Sequence, residues 1–297
     1  MENLDPRGRS PLSAQDMGQL YVARTLPDAV AALAERGPEA TPLAGATWIM
    51  RAPLRQERLA PFYVAISKIG SLCEVTVDDR EVSIGACVTH AELAGQLASL
   101  PDCKALASAA GSAANPAIRQ VATVGGNLCA KGFAAADLVP ALLCLDAEVE
   151  LQAPRGSERL AVSRFLALRA GLEPGQIVRR VIVPRAQRRS VHIRLPLRKA
   201  GDYPVAIVSL AVTLNAGGRV DGIRAAVGSV EPTARRWHEL EADLLGKPLD
   251  PTRAADKAAS HGGVFRARDG IEAPGWYRVK VLPSLVRSAV RALQAQA

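Results

Sequence analysis

The feature that most constrains the fold is a long hairpin pattern in the C-terminal third of the chain. The stretch VAIVSLAVTLNAGGRVDGIRAAVGSV consists of two apolar, β-branched runs joined at Ala216-Gly217-Gly218. This pattern predicts two long antiparallel strands. Three helical segments follow it: TARRWHELEADLL, PTRAADKAAS and YRVKVLPSLVRSAVRALQAQA. We therefore expect an α+β domain over residues 188–297, in which helices cover a small antiparallel sheet.

In the preceding part of the chain, helical and strand patterns are intermixed. TLPDAVAALAERG begins with an N-cap threonine and an early proline and ends in glycine, which predicts a helix over residues 25–37. EVTVDDREVSIGA and EVELQAPRGSERLAV predict hairpins, GQIVRRVIVP a strand, and AADLVPALLCLDA a buried helix. Such mixing favours an α/β or α+β domain over residues 18–187, with two subdomains that divide near residue 65. The polar residues 1–17 predict a flexible arm.

Composition and charge favour some classes of function over others. The chain has 297 residues and a formal net charge of +8, but its basic residues are scattered and only 4% of its residues are aromatic. This composition offers no stacking platform for nucleic acid. A basic surface suits an acidic partner subunit equally well. Because we find neither a membrane-spanning run nor a signal-peptide core, we expect a cytoplasmic protein.

The residues that usually bind metals or catalyse reactions form no recognisable pattern. None of the cysteines stands in a Cys-x-x-Cys pair, so we expect reduced thiols and no metal site on this chain. The histidines lie far apart, and each is expected to be a surface or packing residue. The chain contains no Walker phosphate loop, G-x-G-x-x-G, H-E-x-x-H or G-x-S-x-G motif. We therefore expect no catalytic residues.

Two glycine turns carry the pattern that best indicates a ligand site. Each follows an apolar segment and offers consecutive unencumbered backbone N–H groups with a hydroxyl nearby, an arrangement that holds phosphate oxygens. Two such turns suit the two phosphates of a dinucleotide. Taken alone, each also fits an ordinary tight turn, which is the more common occurrence. The turns are Pro42-Leu43-Ala44-Gly45-Ala46-Thr47 and Thr123-Val124-Gly125-Gly126-Asn127.

The succession of motifs resembles a known family. VATVGGNLC, an alanine-rich stretch and AADLVPALLCLDAEVEL are similar to the FAD-binding medium subunit of the molybdenum hydroxylases, the family of xanthine dehydrogenase and carbon monoxide dehydrogenase. PLAGATWIM stands at that family's first flavin motif and TVGGN at its second. The resemblance continues through GLEPGQIVRRVIVP, RKAGDYPVAIVSLAVTLNAGG and YRVKVLPSLVRSAVRAL, in the family's order.

This resemblance implies a fold and a cofactor. The fold is α+β: a two-part FAD-binding domain of the vanillyl-alcohol-oxidase (PCMH) type, then a C-terminal domain of the CO dehydrogenase flavoprotein type. Gly125 and Gly126 would let the backbone lie against FAD, and Asp137 would reach its sugar–phosphate part. Arg194 or Arg198 falls where the family often places a basic residue by the flavin. The other implied FAD contacts are Pro42, Leu43, Ala44, Gly45, Ala46, Thr47, Trp48, Ile49, Thr123, Val124 and Asn127.

The chain departs from the family pattern in both motifs. The first usually reads Ala-Gly-Gly, then Thr or His, then a small or acidic residue; here Ala46 replaces the second glycine and Trp48 the last residue. Because alanine is comfortable only at negative φ, we expect this turn to differ or to carry strain. For Trp48 we favour packing over a contact with adenine. The segment from Thr123 to Asp137 is one residue longer than usual, through Lys131-Gly132-Phe133.

The expected function is that of an electron-transfer flavoprotein subunit of an oxidoreductase. The resemblance implies [2Fe–2S] clusters on a small partner subunit and a molybdenum–pterin cofactor on a large one, in a heterotrimer. FAD on this chain would pass the electrons to an external acceptor. Three alternatives stay open: a scaffold subunit that has lost FAD, favoured by Ala46 and Trp48; a free-standing flavin oxidoreductase; and a basic nucleic-acid-binding module.

Overall fold

The first part of the chain forms a small parallel sheet. The structure, a computed structural model, describes residues 18–197 and 203–296; the predicted arm 1–17 and Arg198 lie outside the described residues. The sheet has the strand order β1-β3-β2, and all its pairings are parallel. Its elements are β1 (Gln19–Val22), α1 (Leu26–Arg36), β2 (Ala40–Leu43) and β3 (Phe62–Ala65).

The parallel arrangement places the first glycine turn at one edge of this sheet. Parallel strands bring their carboxyl ends to the same edge, where ligands commonly bind in α/β sheets. The turn leaves β2 directly after Leu43. It then enters a 3₁₀ segment, Ile49–Arg55, which the sequence analysis did not anticipate.

A second sheet is antiparallel, with the order β4-β5-β8-β6-β7. Both predicted hairpins are confirmed, since β4 pairs with β5 and β6 with β7. The strands are β4 (Val75–Val77), β5 (Glu81–Gly85), β6 (Glu148–Ala153), β7 (Gly156–Ala161) and β8 (Ile177–Pro184). The helices that accompany this sheet are α2 (His90–Leu97), α3 (Lys104–Ser112), α4 (Pro116–Arg119), α5 (Val124–Cys129), α6 (Leu138–Cys144) and α7 (Val162–Leu168).

A third sheet, also antiparallel, has the order β12-β11-β10-β9. The long predicted hairpin is confirmed as β10 and β11. The predicted helix over TARRWHELEADLL begins only at His238, because Arg235 and Arg236 pair with β11 as a short strand. The strands are β9 (Arg189–Pro196), β10 (Pro204–Leu214), β11 (Val220–Gly228) and β12 (Arg235–Arg236). The helices are α8 (His238–Leu244), α9 (Pro251–Ser260), α10 (Gly275–Lys280) and α11 (Leu282–Gln294).

Local sequence signals explain where helices α1 and α2 begin. The Thr25 hydroxyl accepts a bond from the Asp28 N–H and caps α1. At α2, the Thr89 hydroxyl accepts the Glu92 N–H, while the Glu92 carboxylate accepts the Thr89 N–H at 2.8 Å. This reciprocal pair is a capping box, which satisfies donors that the first turn of a helix leaves unpaired.

Helix α6 joins the second and third sheets. All 7 of its residues are buried. It shares one apolar core with Val82 and Val181 of the second sheet and with Ala211 and Ala226 of the third. The predicted buried helix, which covers only Leu138–Cys144 of the segment AADLVPALLCLDA, is thus shared by two sheets. In the described part of the chain, no helix combines the length and the apolar character needed to cross a bilayer.

Candidate functional site

The two glycine turns lie against each other. The loop after β2 approaches the backbone that leads into α5 very closely: a Cβ added to Gly45 would lie 1.8 Å from the carbonyl oxygen of Val121. Only glycine permits this approach. The fold therefore places the first turn directly beside the second, as a two-turn ligand site requires.

The first turn presents backbone donors that the protein does not use. Within the described residues, no acceptor meets the N–H groups of Gly45, Ala46, Thr47 or Trp48. Ala46 has a φ of 57°, so the expected strain is present and the alanine takes the left-handed conformation. Successive N–H groups around such a residue converge on one point and form a nest for an anion.

The other predicted members of the first motif support this loop. Pro42 and Leu43 belong to β2 and pair with β3, and the Leu43 carbonyl accepts the Ile66 N–H at 2.9 Å. Ala44 packs against the core of the first sheet. Ile49 opens the 3₁₀ segment on the far side of the turn. These residues fix the two ends of the loop.

The second turn uses its backbone donors internally. The N–H of Val124 donates to Val88 O at 3.0 Å, and that of Gly125 donates to Ala86 O at 2.8 Å. Gly126 N donates to the Thr123 hydroxyl, which caps α5, and Asn127 N donates to Thr123 O. A backbone nest like that of the first turn is therefore absent from residues 124–127.

The surroundings of the two adjacent glycines in this turn differ, so each position calls for glycine to a different degree. A Cβ on buried Gly125 would lie 2.8 Å from the Cβ of Ala86 and 2.9 Å from its carbonyl oxygen. Packing on β5 and its exit therefore requires this glycine. Gly126 is exposed, and an added Cβ would meet only the Thr123 hydroxyl at 2.9 Å. Of the pair, Gly126 is the one that leaves an open face to solvent.

Asn127 offers side-chain donors in place of backbone donors. Its Oδ1 accepts the Leu138 N–H at 3.3 Å, which fixes the orientation of the amide at the start of α6. The amide NH₂ then points away from this bond and meets no acceptor in the described ranges. The second turn can therefore donate hydrogen bonds to a ligand through Asn127.

Asp137 and Arg194 form a buried ion pair behind the turn. Asp137 Oδ1 accepts a 2.9 Å bond from Arg194 Nε and lies 3.6 Å from His192 Nε2. Asp137 is only 4% exposed. Asp137 was predicted to reach the cofactor. One of its two carboxylate oxygens already has a partner within the protein. Arg194 is the described member of the two candidate basic residues.

His90 lies beneath the second turn as a neutral ring. Its backbone N–H donates to Ala122 O at 2.9 Å, and its side chain is buried. Burial lowers the pKa of His90 to about 4, although the charge of Asp137 acts in the opposite direction. The ring is therefore a packing residue at neutral pH, as the sequence analysis expects.

The two departures from the family pattern pack against each other. Trp48 Nε1 donates to Lys131 O at 3.0 Å, and the Trp48 and Phe133 ring centroids are 4.5 Å apart. The Arg55 guanidinium lies 3.9 Å from the centroid of the Trp48 ring, a favourable cation–π contact. The tryptophan and the longer segment thus form one unit at the rim of the first turn.

The third sheet reaches this unit through Tyr203. The Tyr203 and Phe133 ring centroids are 5.5 Å apart in an edge-to-face arrangement. Arg51 Nη1 donates to the Tyr203 hydroxyl at 2.5 Å. The sequence analysis did not select Phe133 or Tyr203 as site residues. The extra residue in the segment around Phe133 is the sequence signal that could have drawn attention to this contact.

These groups together fit an anionic dinucleotide. Among the described residues, the amides of the first turn and the Asn127 NH₂ meet no acceptor, so they can donate to negative charge. The FAD implied by the resemblance carries a pyrophosphate, and this donor set suits it. In the described ranges, no group of three or more His, Cys, Asp or Glu side chains could hold a metal ion.

Family models match most of the chain. The FAD binding domain in molybdopterin dehydrogenase matches residues 15–186, and the CO dehydrogenase flavoprotein C-terminal domain matches residues 192–293. Similar proteins include the carbon monoxide dehydrogenase medium chain of Afipia carboxidovorans, 31% identical over 92% of this chain and 96% of that protein. The xanthine dehydrogenase FAD-binding subunit of Escherichia coli O157:H7 is 29% identical over 79% of this chain and 82% of that protein.

Solved structures agree with these matches. Reconstituted CO dehydrogenase from Oligotropha carboxidovorans superposes with a TM-score of 0.85 at 27% identity, covering 95% of this chain and 99% of that one. The family resemblance, the two-part FAD fold with its C-terminal domain, and the oxidoreductase class are thereby confirmed. With its family models matched in order, this chain belongs to the FAD-binding subunits of the molybdenum hydroxylases.

Proposed function

We propose that this chain is the electron-transfer subunit of a molybdenum-containing hydroxylase or dehydrogenase. Electrons would come from [2Fe–2S] clusters of a small partner subunit and leave by way of FAD on this chain to an external acceptor. A large partner subunit would carry the molybdenum–pterin cofactor. The row of unused amides from Gly45 to Trp48 is the observation that carries the proposal.

In this proposal the two turns divide the binding of FAD. The first turn holds the pyrophosphate with its backbone N–H groups, because an anion recovers the hydrogen bonds that these donors lack. Asn127 would donate further hydrogen bonds through its NH₂ group, and the exposed face of Gly126 would let the ligand approach the backbone. Bound FAD supplies the redox chemistry, since it can exchange electrons singly or in pairs.

The remaining site residues orient and shield rather than react. Asp137 holds Arg194 in place through a charge-assisted hydrogen bond. The rings of Trp48, Phe133 and Tyr203 form an apolar rim beside the first turn, which limits the access of water. No proton transfer is assigned to this chain.

The proposed partner subunits are inferred from the proteins that this chain resembles. The carbon monoxide dehydrogenase relative is named as a medium chain, which supports assembly with a small and a large subunit. A similar solved structure is that of a Cu,Mo-CO dehydrogenase, and we propose that the molybdenum of this complex lies on the large partner. We propose a cytoplasmic heterotrimer, and the free cysteines agree with a reducing compartment.

The first experiment is an absorbance spectrum of the purified chain, with and without added FAD. We expect flavin bands at close to one FAD per chain. Asn127→Asp keeps the oxygen that accepts the Leu138 N–H but replaces the NH₂ donors with charge that repels a pyrophosphate. We expect FAD to bind this variant at least about tenfold more weakly, the equivalent of about 1.4 kcal/mol.

Asn215→Asp is the matched control. Asn215 Oδ1 also accepts backbone N–H groups, from Gly217 and Arg219, in the turn between β10 and β11. This variant should bind FAD like the wild type. A wild-type chain that stays colourless with FAD, even with its partner subunits present, would contradict the proposal and favour the scaffold alternative.

A further inference from the structure

Ser229 occupies a conformation that serines rarely adopt. It follows β11 with a φ of 64°, and its side chain is completely buried. A non-glycine residue in this region costs free energy, and such residues persist where surrounding contacts over-determine them. The contacts of Ser229 therefore show which parts of the structure hold it in this conformation.

Two of these contacts reach the segments that carry the aromatic rim. The Ser229 N–H donates to Ala134 O at 3.1 Å, and its hydroxyl donates to Pro204 O at 2.5 Å. Ala134 directly follows Phe133, and Pro204 directly follows Tyr203. Ser229 thus holds the backbone beside both members of the Phe133–Tyr203 ring pair.

Arg278 of α10 holds Ser229 and the root of β10 together. Its side chain is completely buried, and its Nη1 donates to Val205 O at 2.7 Å and to Ser229 O at 3.2 Å. Arg278 Nη2 donates to Glu272 Oε2 at 2.9 Å, which neutralises the buried charge. Arg268 Nε adds a further bond to Ser229 O at 3.0 Å.

We propose that Ser229, held by Arg278, is a positioning residue through which the C-terminal domain sets the aromatic rim of the cofactor site. Ser229 does not contact the ligand itself; it fixes the spacing of the Phe133 and Tyr203 rings, and through Phe133 that of Trp48. This inference rests on the proposed function for its meaning, but the rim geometry is measurable without FAD.

The test uses two variants of the full chain. Ser229→Gly accommodates the positive φ and keeps the N–H bond to Ala134, but it removes the hydroxyl that holds Pro204. Arg278→Lys keeps the charge and loses the forked contacts to Val205 and Ser229. We expect both to change the near-ultraviolet circular dichroism of the apo-protein and the visible circular dichroism of bound FAD. We also expect the FAD dissociation constant to rise about fivefold, as for one net hydrogen bond.

Ser190→Ala is the matched control. Ser190 is as buried as Ser229, and its hydroxyl bonds Ala105 N and Asp102 O, away from the rim. This variant should lower stability and leave both dichroism spectra and the FAD dissociation constant unchanged. If Ser229→Gly and Arg278→Lys also leave both spectra unchanged, the positioning role is wrong.

The proposed function fails separately from this inference. A wild-type chain that binds no FAD would contradict the proposed function. In that case the apo-protein spectra of the same variants still support the positioning role if they change, and overturn it if they match the control.

Discussion

The two glycine turns look alike in sequence and differ in what their backbone does. The first leaves the amides of Gly45, Ala46, Thr47 and Trp48 without acceptors in the described chain. In the second, every amide over residues 124–127 already donates within the protein. The first turn keeps N–H groups that could donate to a ligand. The second turn is the start of a helix whose N–H groups bond to the chain at and after the end of β5.

The difference teaches how to interpret a glycine in a cofactor motif. Gly125 is required because Ala86 occupies the space of a side chain, whereas Gly126 leaves an open face. Ala46 shows the converse, since it takes a glycine-like φ of 57° without being glycine. Open space around a residue, as at Gly126, and N–H groups without an internal acceptor, as at Ala46, indicate possible ligand contact more directly than residue type does.

The largest effect should come from Gly125→Ala. The new methyl would lie 2.8 Å from the Ala86 Cβ. The backbone of Ala86 cannot move aside without a large cost in free energy. We expect a loss of about 3 kcal/mol in the free energy of unfolding, typical of severe overpacking. Urea denaturation of the apo-protein measures it. If Gly125→Ala is as stable as wild type but fails to bind FAD, this glycine faces the ligand and the comparison fails.

A pH effect of about 2 kcal/mol should come from the ring beneath the second turn. Because burial lowers the pKa of His90 from 6.5 to about 4, the unfolded chain binds the proton more readily between these values. Stability should therefore fall by about 2 kcal/mol from pH 7 to pH 5. Denaturant unfolding at both pH values measures it.

His90→Gln should remove most of that dependence, since the amide does not titrate. His238→Gln, whose imidazole is 74% exposed in the wild type, should retain it. An unchanged pH dependence in His90→Gln would assign the effect to other groups.

Gly126→Ala should separate ligand approach from folding. The added methyl would lie 2.9 Å from the Thr123 hydroxyl, so this N-cap must shift, and we expect a loss of about 1 kcal/mol in the free energy of unfolding, less than for Gly125→Ala. FAD affinity should fall about tenfold, or about 1.4 kcal/mol, because the methyl covers the open face. Equilibrium titration with FAD measures this loss. Gly95→Ala, also in a helix and with nothing near its added Cβ, should leave affinity unchanged. Equal FAD affinities for the two variants would remove Gly126 from the site.

The smallest effect should come from Ala46→Gly. Glycine relieves the left-handed strain but gains entropy in the unfolded chain, so we expect a net stabilisation of about 0.5 kcal/mol. Thermal unfolding of the apo-protein measures it. FAD affinity should stay within about twofold, because the N–H groups do not move. A large gain in affinity would mean that the alanine distorts the donor set.

Much of the fold could be predicted from local patterns in the sequence. The N-cap at Thr25 and the turn at Ala216-Gly217-Gly218 depend on residues close together in the chain, and both are confirmed. The late start of α8 was missed, because Arg235 and Arg236 pair with a strand formed by distant sequence. Local propensity cannot report such pairing.

The site was predictable in outline and not in detail. Both turns were identified, yet their different hydrogen bonding depends on Val88 and Ala86, which lie far away in sequence. The Asp137–Arg194 pair and the contact of Trp48 with Phe133 likewise need the tertiary structure. The roles of individual residues toward FAD, and the domain boundaries near 65 and 187, stay predictions.

The burial of α6 has a consequence for how the molecule folds. Its apolar side chains contribute to one core that includes Val181 from the second sheet and Ala226 from the third. Neither sheet can complete its interior without the other, so a fragment that ends near residue 187 would expose part of this core to water. We therefore expect the cofactor domain and the C-terminal domain to unfold in a single cooperative transition, although family models divide them.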